Sequence, residues 1–281
     1  MTKPILYDSH MHTPLCKHAR GNPTEYAQKA QARGLKGIII TCHNPGPKGW
    51  SERVRMSLDQ LNEYVDIVAQ ATDAWAEQVD VRLGLESDYI PGIEPFLEKL
   101  HKKADFNYIL GSVHPQLPYY KDTYFKRGQV LAYAQLYFEH LAMAAESGLY
   151  DSLAHPDLIK NSMPNTWEVA NLLDDIRPNL DRIAQTGVAM ELNTSGIHKR
   201  IKEMNPGREI LAEMHERNIP VVLGSDAHTP SRVAAQFEDA LETLANVGYT
   251  EITYFLQHQP HKINIEAALN SLDVKKQIQH H

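Results

Sequence analysis

The chain has 281 residues, of which 42% are hydrophobic, and a formal net charge of −7. That length is generous for one ordinary domain and normal for a single α/β barrel, the acidic balance counts against a broad nucleic-acid surface, and no run nears the roughly 18–20 apolar residues of a membrane span. The N-terminus, MTKPILYDSHMH, lacks the charged, apolar and small-residue succession of a secretory signal, and the two cysteines, Cys16 and Cys42, make a disulfide framework unexpected; a reducing, cytoplasmic setting is the expectation.

The first element is a short apolar run, Ile5–Tyr7, read as a strand. Asn22-Pro23-Thr24-Glu25 then gives a helix start, with Asn as N-cap, Pro at the first position and Glu at the third, and Gly34 is its stop. Gly37–Thr41 is the second strand, and apolar residues at three- and four-residue steps predict a helix over Leu58 to Ala76. Strands follow at Val81–Leu85 and Tyr108–Ser112, then a helix over Leu131–Ala145. Strands at Tyr150–Ala154, Val188–Asn193 and Pro220–Ser225 alternate with helices at Val169–Ala184, Arg208–Arg217 and Val233–Val247. The strand runs are apolar without alternation, as burial on both faces requires. A last run, Glu251–Leu256, is either an eighth strand or a covering one. Strand ends recur at intervals of roughly 28 to 43 residues, the size of a βα unit, and seven such units close most naturally into a barrel. The expectation is a single domain over residues 1–281.

Fifteen histidines are an excess for this chain. His280 and His281 end the sequence and are set aside; His101, His140 and His215 lie in polar, helix-like segments and are read as solvated. The remainder is patterned. Six of the seven strand runs end in His10, His43, Glu86, His114, His155 or Asp226, and the other ends in Asn193. The C-terminal ends of barrel strands are where such folds carry their chemistry. His12 and His18 lie near the first end and His228 near the last, giving seven imidazoles and two carboxylates. Residues two apart at a strand end point to the same side, so His10 and His12 can meet one ion, and Asp226 and His228 repeat the pattern. Nine ligand groups exceed the three or four that one ion takes and suit two or three ions, an arrangement that clamps the oxygens of a phosphoryl displacement. Taken singly, Glu86 and Asp226 read equally as helix caps and His114 as a hydrogen-bonded boundary residue; their recurrence on one barrel face argues for a joint metal centre.

With these residues in hand, the chain resembles the PHP (polymerase and histidinol phosphatase) superfamily, and within it the monofunctional histidinol-phosphatase branch. The resembling segments are DSHMHTPLCKHARG, GIIITCHNP, GLESDYIPG, ILGSVH, LAHPDL, MELNTSG and VVLGSDAH, in family order over roughly residues 5 to 260. The resemblance implies a distorted seven-stranded (β/α) barrel with three divalent ions, zinc, iron or manganese. In that implied set His10 and His12 join Glu86 and Asp226 at one ion, Glu86 is shared with His114 and His155 at a second, and His18, His43 and His228 hold a third. Glu86, Asp226 and His228 take catalytic roles, the leaving group's proton coming from Asp226 or a neighbouring histidine. The implied activity is hydrolysis of L-histidinol phosphate, in histidine biosynthesis; another small phosphate ester or a nucleotide phosphodiester is the alternative, and a non-catalytic regulatory barrel a third. The partner expected is thus a small phosphorylated molecule rather than a nucleic-acid polymer or a membrane.

The surroundings depart from the family pattern. His198, then Lys199 and Arg200, stand where an Arg usually follows MELNTSG; Cys42 precedes His43 where an acidic residue is common; and PQLPYYKDTYFKRG follows GSVH in place of an acidic, aromatic loop. Arg55, matching a family Arg, is expected to meet phosphate or substrate or else to be a solvated helix-start residue. Asn193, His198 and Arg200 are the other candidate substrate contacts. Cys16 and Cys42 are read as packing residues, and Trp50, Tyr119 and Tyr120 as aromatics that shield the site or stack on a ring.

Overall fold

The computed structural model describes residues 3–47 and 50–278; His280 and His281 lie outside them. Its strands are β1 (Tyr7–Asp8), β2 (Gly37–Ile40), β3 (Asp80–Asp88), β4 (Tyr108–Ser112), β5 (Ser152–Leu153), β6 (Ala189–Asn193) and β7 (Val221–Gly224). Each pairs in parallel with the next. The ring closes where the Ser9 N–H donates to Leu223 O at 3.2 Å, His12 N–H donates to Ala227 O at 2.9 Å, and Met11 bridges Ala227 in parallel. The result is a distorted seven-stranded barrel whose paired segments are short, two residues in β1 and in β5.

Helices α1 (Pro23–Arg33), α2 (Leu61–Trp75), α3 (Glu94–His101), α4 (Pro118–Tyr124), α5 (Val130–Glu146), α6 (Leu173–Thr186), α7 (Arg208–Glu216) and α8 (Phe237–Val247) fill the connections. The expected cap of α1 is formed in full. Asn22 accepts from the Glu25 N–H, Glu25 accepts from the Asn22 N–H, and Gly34 ends the helix at φ 79°, where a residue without Cβ is favoured. Three helix starts differ from the periodic pattern: residues 58–60 form a separate tight turn, and α2 starts at Leu61 rather than Leu58. Ala234 and Gln236 adopt left-handed backbone (φ 51° and 62°), so α8 starts at Phe237 rather than Val233. Residues 169–171 form a separate tight turn, and α6 starts at Leu173. The short helices α3 and α4 were not anticipated.

Glu251–Leu256 is both of the things its sequence left open. As β8 it pairs in parallel with β7 through Val222 and Thr253, and it turns back antiparallel into β9 (Gln259–Asn264), before α9 (Ile265–Ile278). It also covers the lower end of the barrel. Phe255 is buried with Tyr7, Ile39, Tyr108, Leu110, Ala189 and Val222, its ring centroid 5.7 Å from that of Tyr108, and Tyr254 stacks on Tyr7 at 4.5 Å. His258 at the hairpin turn donates its N–H to Asn107 O at 3.0 Å, and its Nδ1 meets Asp151 at 2.9 Å.

The three histidines read as solvated are not. His140 is 3% exposed; the apolar stripe of α5 is broad enough to carry it inward, where its Nδ1 meets the Tyr120 hydroxyl at 2.8 Å. His101 and His215 are half-buried, against Ser87 (2.9 Å) and the Tyr249 ring. Among the described residues no helix is long and apolar enough to cross a membrane.

Candidate metal centre and substrate cavity

The nine proposed ligand residues converge at the upper end of the barrel. Glu86, two residues before the end of β3 and 0% exposed, is the hub. Its Oε2 lies 2.5 Å from His43 Nδ1, 3.6 Å from His10 Nε2 and 3.7 Å from His12 Nε2; its Oε1 lies 3.0 Å from His155 Nε2 and 3.4 Å from His114 Nε2. Asp226 Oδ1 approaches His12 Nε2 at 3.1 Å, His228 Nδ1 at 3.4 Å and His10 Nε2 at 3.7 Å. The His12 and His228 rings stack at 4.0 Å, and His18 lies 4.6 Å from His228 and 5.4 Å from His43.

This donor set fits divalent cations. His10, His12 and Glu86 offer one group of atoms mutually within 4.8 Å; His43, Glu86 and His114 offer a second, and His12, His43 and His228 a third. His43 Nδ1 and Glu86 Oε2 face each other at 2.5 Å, yet both are buried without a hydrogen-bond partner. His10 Nε2 and His12 Nε2 are 3.2 Å apart. Lone pairs gathered this way are stabilised by a shared cation. Burial holds His43 well below, and His155 and His18 below, the ordinary imidazole pKa, and drives His228 down to about 3. Those four rings are therefore neutral, the state in which imidazole ligates. Burial also opposes charge on Glu86 and on Asp226, but His43 and His114 beside the first, and Lys199 and His10 beside the second, hold both well below the usual carboxylate range. Burial works against protonation of His10 and His12 too. The surrounding carboxylates prevail, raising His10 well up and His12 to about 9, which marks a spot that favours positive charge.

Behind the ligands stands a set of carboxylates that the strand-end pattern missed. Glu191, inside β6, meets His10 Nδ1 at 2.7 Å and accepts from the His155 N–H at 2.8 Å and from Asn193 Nδ2 at 3.0 Å. Gly224 makes room for it: a Cβ there would fall 1.8 Å from Glu191 Oε1. Asp88 meets His114 Nδ1 at 2.7 Å, accepts from Ser112 and Tyr119, and is ion-paired with Arg55. Asp8 accepts from Ser225 and from the N–H groups of His10 and Ala234, which ties β1 to the loop bearing Asp226. Such partners fix ring orientation in metal sites. A charged residue inside a doubly buried strand was the available signal. His155 (φ 30°) and Asp226 (φ 49°) sit in left-handed backbone, a local strain typical of functional positions.

A cavity of about 660 Å³ opens over the centre, lined by His18, His43, Glu86, His114, His155, Asp226 and His228. Its lining also includes Arg55, His198, Lys199 and Arg232. Arg55 is 1% exposed, so the solvated reading is excluded; its Nε and Nη1 are buried without partners. The other expected substrate contacts divide. His198 lines the cavity. Asn193 does not: it is buried, its Oδ1 accepting from Ser195 N–H and Oγ, and it shapes the loop instead. Arg200 lines a separate cavity with Lys121 and Asn161. Lys199, Ser195 and Arg232 were missed: the turn over 194–198 decides which of His198, Lys199 and Arg200 faces inward, and Arg232 is placed by a separate turn over 230–232. Cys16 and Cys42 are buried and free, Thr13 donating to Cys42 Sγ. Trp50 packs on Tyr119 at 3.6 Å, which shields Asp88 rather than the cavity, and Tyr120 is bound to His140.

A barrel that gathers histidines and carboxylates at its upper end is the signature of one class, and the chain belongs to the PHP family: the PHP domain model matches residues 8–195. A relative from Deinococcus radiodurans named "probable histidinol-phosphatase" is 39% identical over 255 residues, covering 89% of this chain and 96% of the relative. The histidinol-phosphatase of Bacillus subtilis is 24% identical over 84% of this chain and 98% of its own length. In fold, the chain is similar to a histidinol phosphate phosphatase from Lactococcus lactis solved with zinc, L-histidinol and phosphate (TM-score 0.75, 19% identity, 91% of this chain and 98% of that one).

Proposed function

We propose that this chain is a metal-dependent phosphomonoesterase that hydrolyses L-histidinol phosphate to L-histidinol and phosphate, with three divalent ions, zinc, iron or manganese, held by the nine groups around Glu86 and Asp226. The observation that carries this is the convergence of seven imidazoles and two carboxylates beneath a cavity that Arg55, Lys199 and Arg232 also line. The names of the Deinococcus and Bacillus relatives support the substrate.

His10 and His12 with Glu86 and Asp226 would hold one ion, Glu86, His114 and His155 a second, and His18, His43 and His228 a third. When bound, the ions supply Lewis acidity, lowering the pKa of water toward about 7 and offsetting charge on the phosphoryl oxygens. Glu86 acts from the centre, where a single carboxylate reaches both sides of the set. Glu191 and Asp88 orient His10 and His114 from behind. Asp226 is held from its other oxygen by Ser195 Oγ (2.9 Å) and Lys199 Nζ (3.3 Å), and it and His228 flank the cavity where the leaving alkoxide would take up the proton released by the attacking water. Arg55, braced by Asp88, presents its free N–H groups to substrate.

Phosphate release by metal-reconstituted protein tests the reading, with histidinol phosphate set against other phosphomonoesters, mononucleotides and a phosphodiester. A marked preference for histidinol phosphate is expected. Equal rates on generic monoesters would reassign the substrate to another small phosphate ester; no turnover and no metal uptake would leave a non-catalytic barrel.

A further inference from the structure

Charge is unevenly placed round the cavity. The loops after β2, β4 and β5 contribute Val54, Gln116, Leu117 and Leu158, all neutral, and Arg55, whose charge is offset by Asp88 although its Nε and Nη1 keep no partner. The loops after β6 and β7 contribute His198, Lys199 and Arg232. Lys199 is partnered by Asp226 at 3.3 Å. Arg232 differs. It makes no ion pair among the described residues, and its Nε is buried without a hydrogen-bond partner. Its backbone is pinned by a tight turn in which its N–H donates to Thr229 O at 3.0 Å. A guanidinium held at a cavity wall with no protein acid to satisfy it is arranged for an anion that arrives with the ligand.

We propose that Arg232, with Lys199 beside it, is the specificity-determining group for substrate charge: it binds the outer oxygens of the phosphoryl group and so selects dianionic monoesters over monoanionic diesters. The inference rests on the phosphoesterase reading of the same site but not on histidinol being the alcohol. A second ester group would replace one charged oxygen and set carbon against the guanidinium, leaving its N–H groups unsatisfied. The alcohol of a monoester then lies along the β2–β5 side, where the one cation, Arg55, is offset by Asp88.

The test compares wild type, Arg232→Ala and Arg232→Lys, all loaded with the same metal, on p-nitrophenyl phosphate and bis(p-nitrophenyl) phosphate. Thermal melting and metal content serve as controls for folding. For Arg232→Ala, kcat/KM on the monoester is expected to fall about 30-fold and on the diester less than about 3-fold, with part of the loss recovered in Arg232→Lys. Binding of inorganic phosphate to the metal-loaded protein, followed by calorimetry, is expected to weaken about tenfold in Arg232→Ala. Equal losses on both esters, or unchanged phosphate binding, would overturn the proposal. Should wild type cleave neither ester, the phosphoesterase reading fails, and the calorimetric comparison still decides whether Arg232 binds the anion.

Discussion

The two ends of the barrel are built from the same seven strands and have opposite interiors. At the lower end Tyr7, Ile39, Tyr108, Leu110 and Val222 close around Phe255 from the β8–β9 hairpin, with stacked rings and the charged groups kept to the edge, where the Tyr7 hydroxyl donates to Asp80. Some residues further along the same strands, Glu86, Glu191, Asp88 and five histidines (His10, His12, His43, His114 and His155) crowd together with almost no solvent, while His228 is half-buried and His18 exposed. Burying like donors this closely opposes folding unless a cation joins them, whereas aromatic burial favours it outright. One end supplies the stability that the other spends.

The contrast is broken most severely at its centre. Glu86→Gln should lower turnover roughly 100-fold or more, with far-UV circular dichroism unchanged and bound metal reduced, because this carboxylate serves both sides of the ligand set. Near-wild-type turnover would contradict the ligand map. The complementary change, Phe255→Ala, should cost about 3–5 kcal/mol of stability in a urea titration and leave kcat per folded molecule unaltered; a selective loss of activity would show that the two ends are coupled. Glu191→Gln keeps the shape but removes the charge behind His10. Metal affinity, read by competition with a chelator, should fall about 10–100-fold, and an unchanged affinity would reduce Glu191 to a packing role.

The smallest effect concerns a histidine outside both ends. Burial lowers the His140 pKa to about 4, from 6.5 in the unfolded chain. A depressed folded-state pKa means that the unfolded chain binds more protons between these values. Its contribution is therefore present above about pH 6.5 and lost as pH falls toward 4. His140→Gln, which keeps a partner for the Tyr120 hydroxyl, should show a shallower acid decline in urea midpoint; a slope identical to wild type would refute the assignment.

What was legible in the sequence follows from the same contrast. Continuous apolar runs marked β2, β4, β6 and β7 closely, and ligand types at successive strand ends marked the centre, because one-dimensional order maps directly onto position round a ring. Glu191 escaped because it lies inside β6, and Asp88 because β3 runs two residues beyond Glu86, where the apolar run stops. The fate of Glu251–Leu256 depended on Tyr7 and Tyr108, partners far off in the chain that no local pattern couples to it. Arg200 and Lys199 are adjacent in sequence yet face different cavities, a distinction made by one short turn. Periodicity separated strand from helix well, but it placed His140 on the wrong side of α5, where the apolar stripe is too wide for polarity alone to say which face is wet.

The aromatic seal beneath the barrel has a kinetic corollary. With the lower end packed shut, exchange with solvent runs through the mouth above the histidines. With the proposed metal ligands on the cavity floor, a phosphate ester would enter with its phosphoryl group foremost, and after cleavage the alcohol would lie nearer the exit than the phosphate. Product departure is then ordered, alcohol first and phosphate last. Inorganic phosphate should compete with substrate for the free enzyme, while the alcohol should inhibit in a noncompetitive pattern.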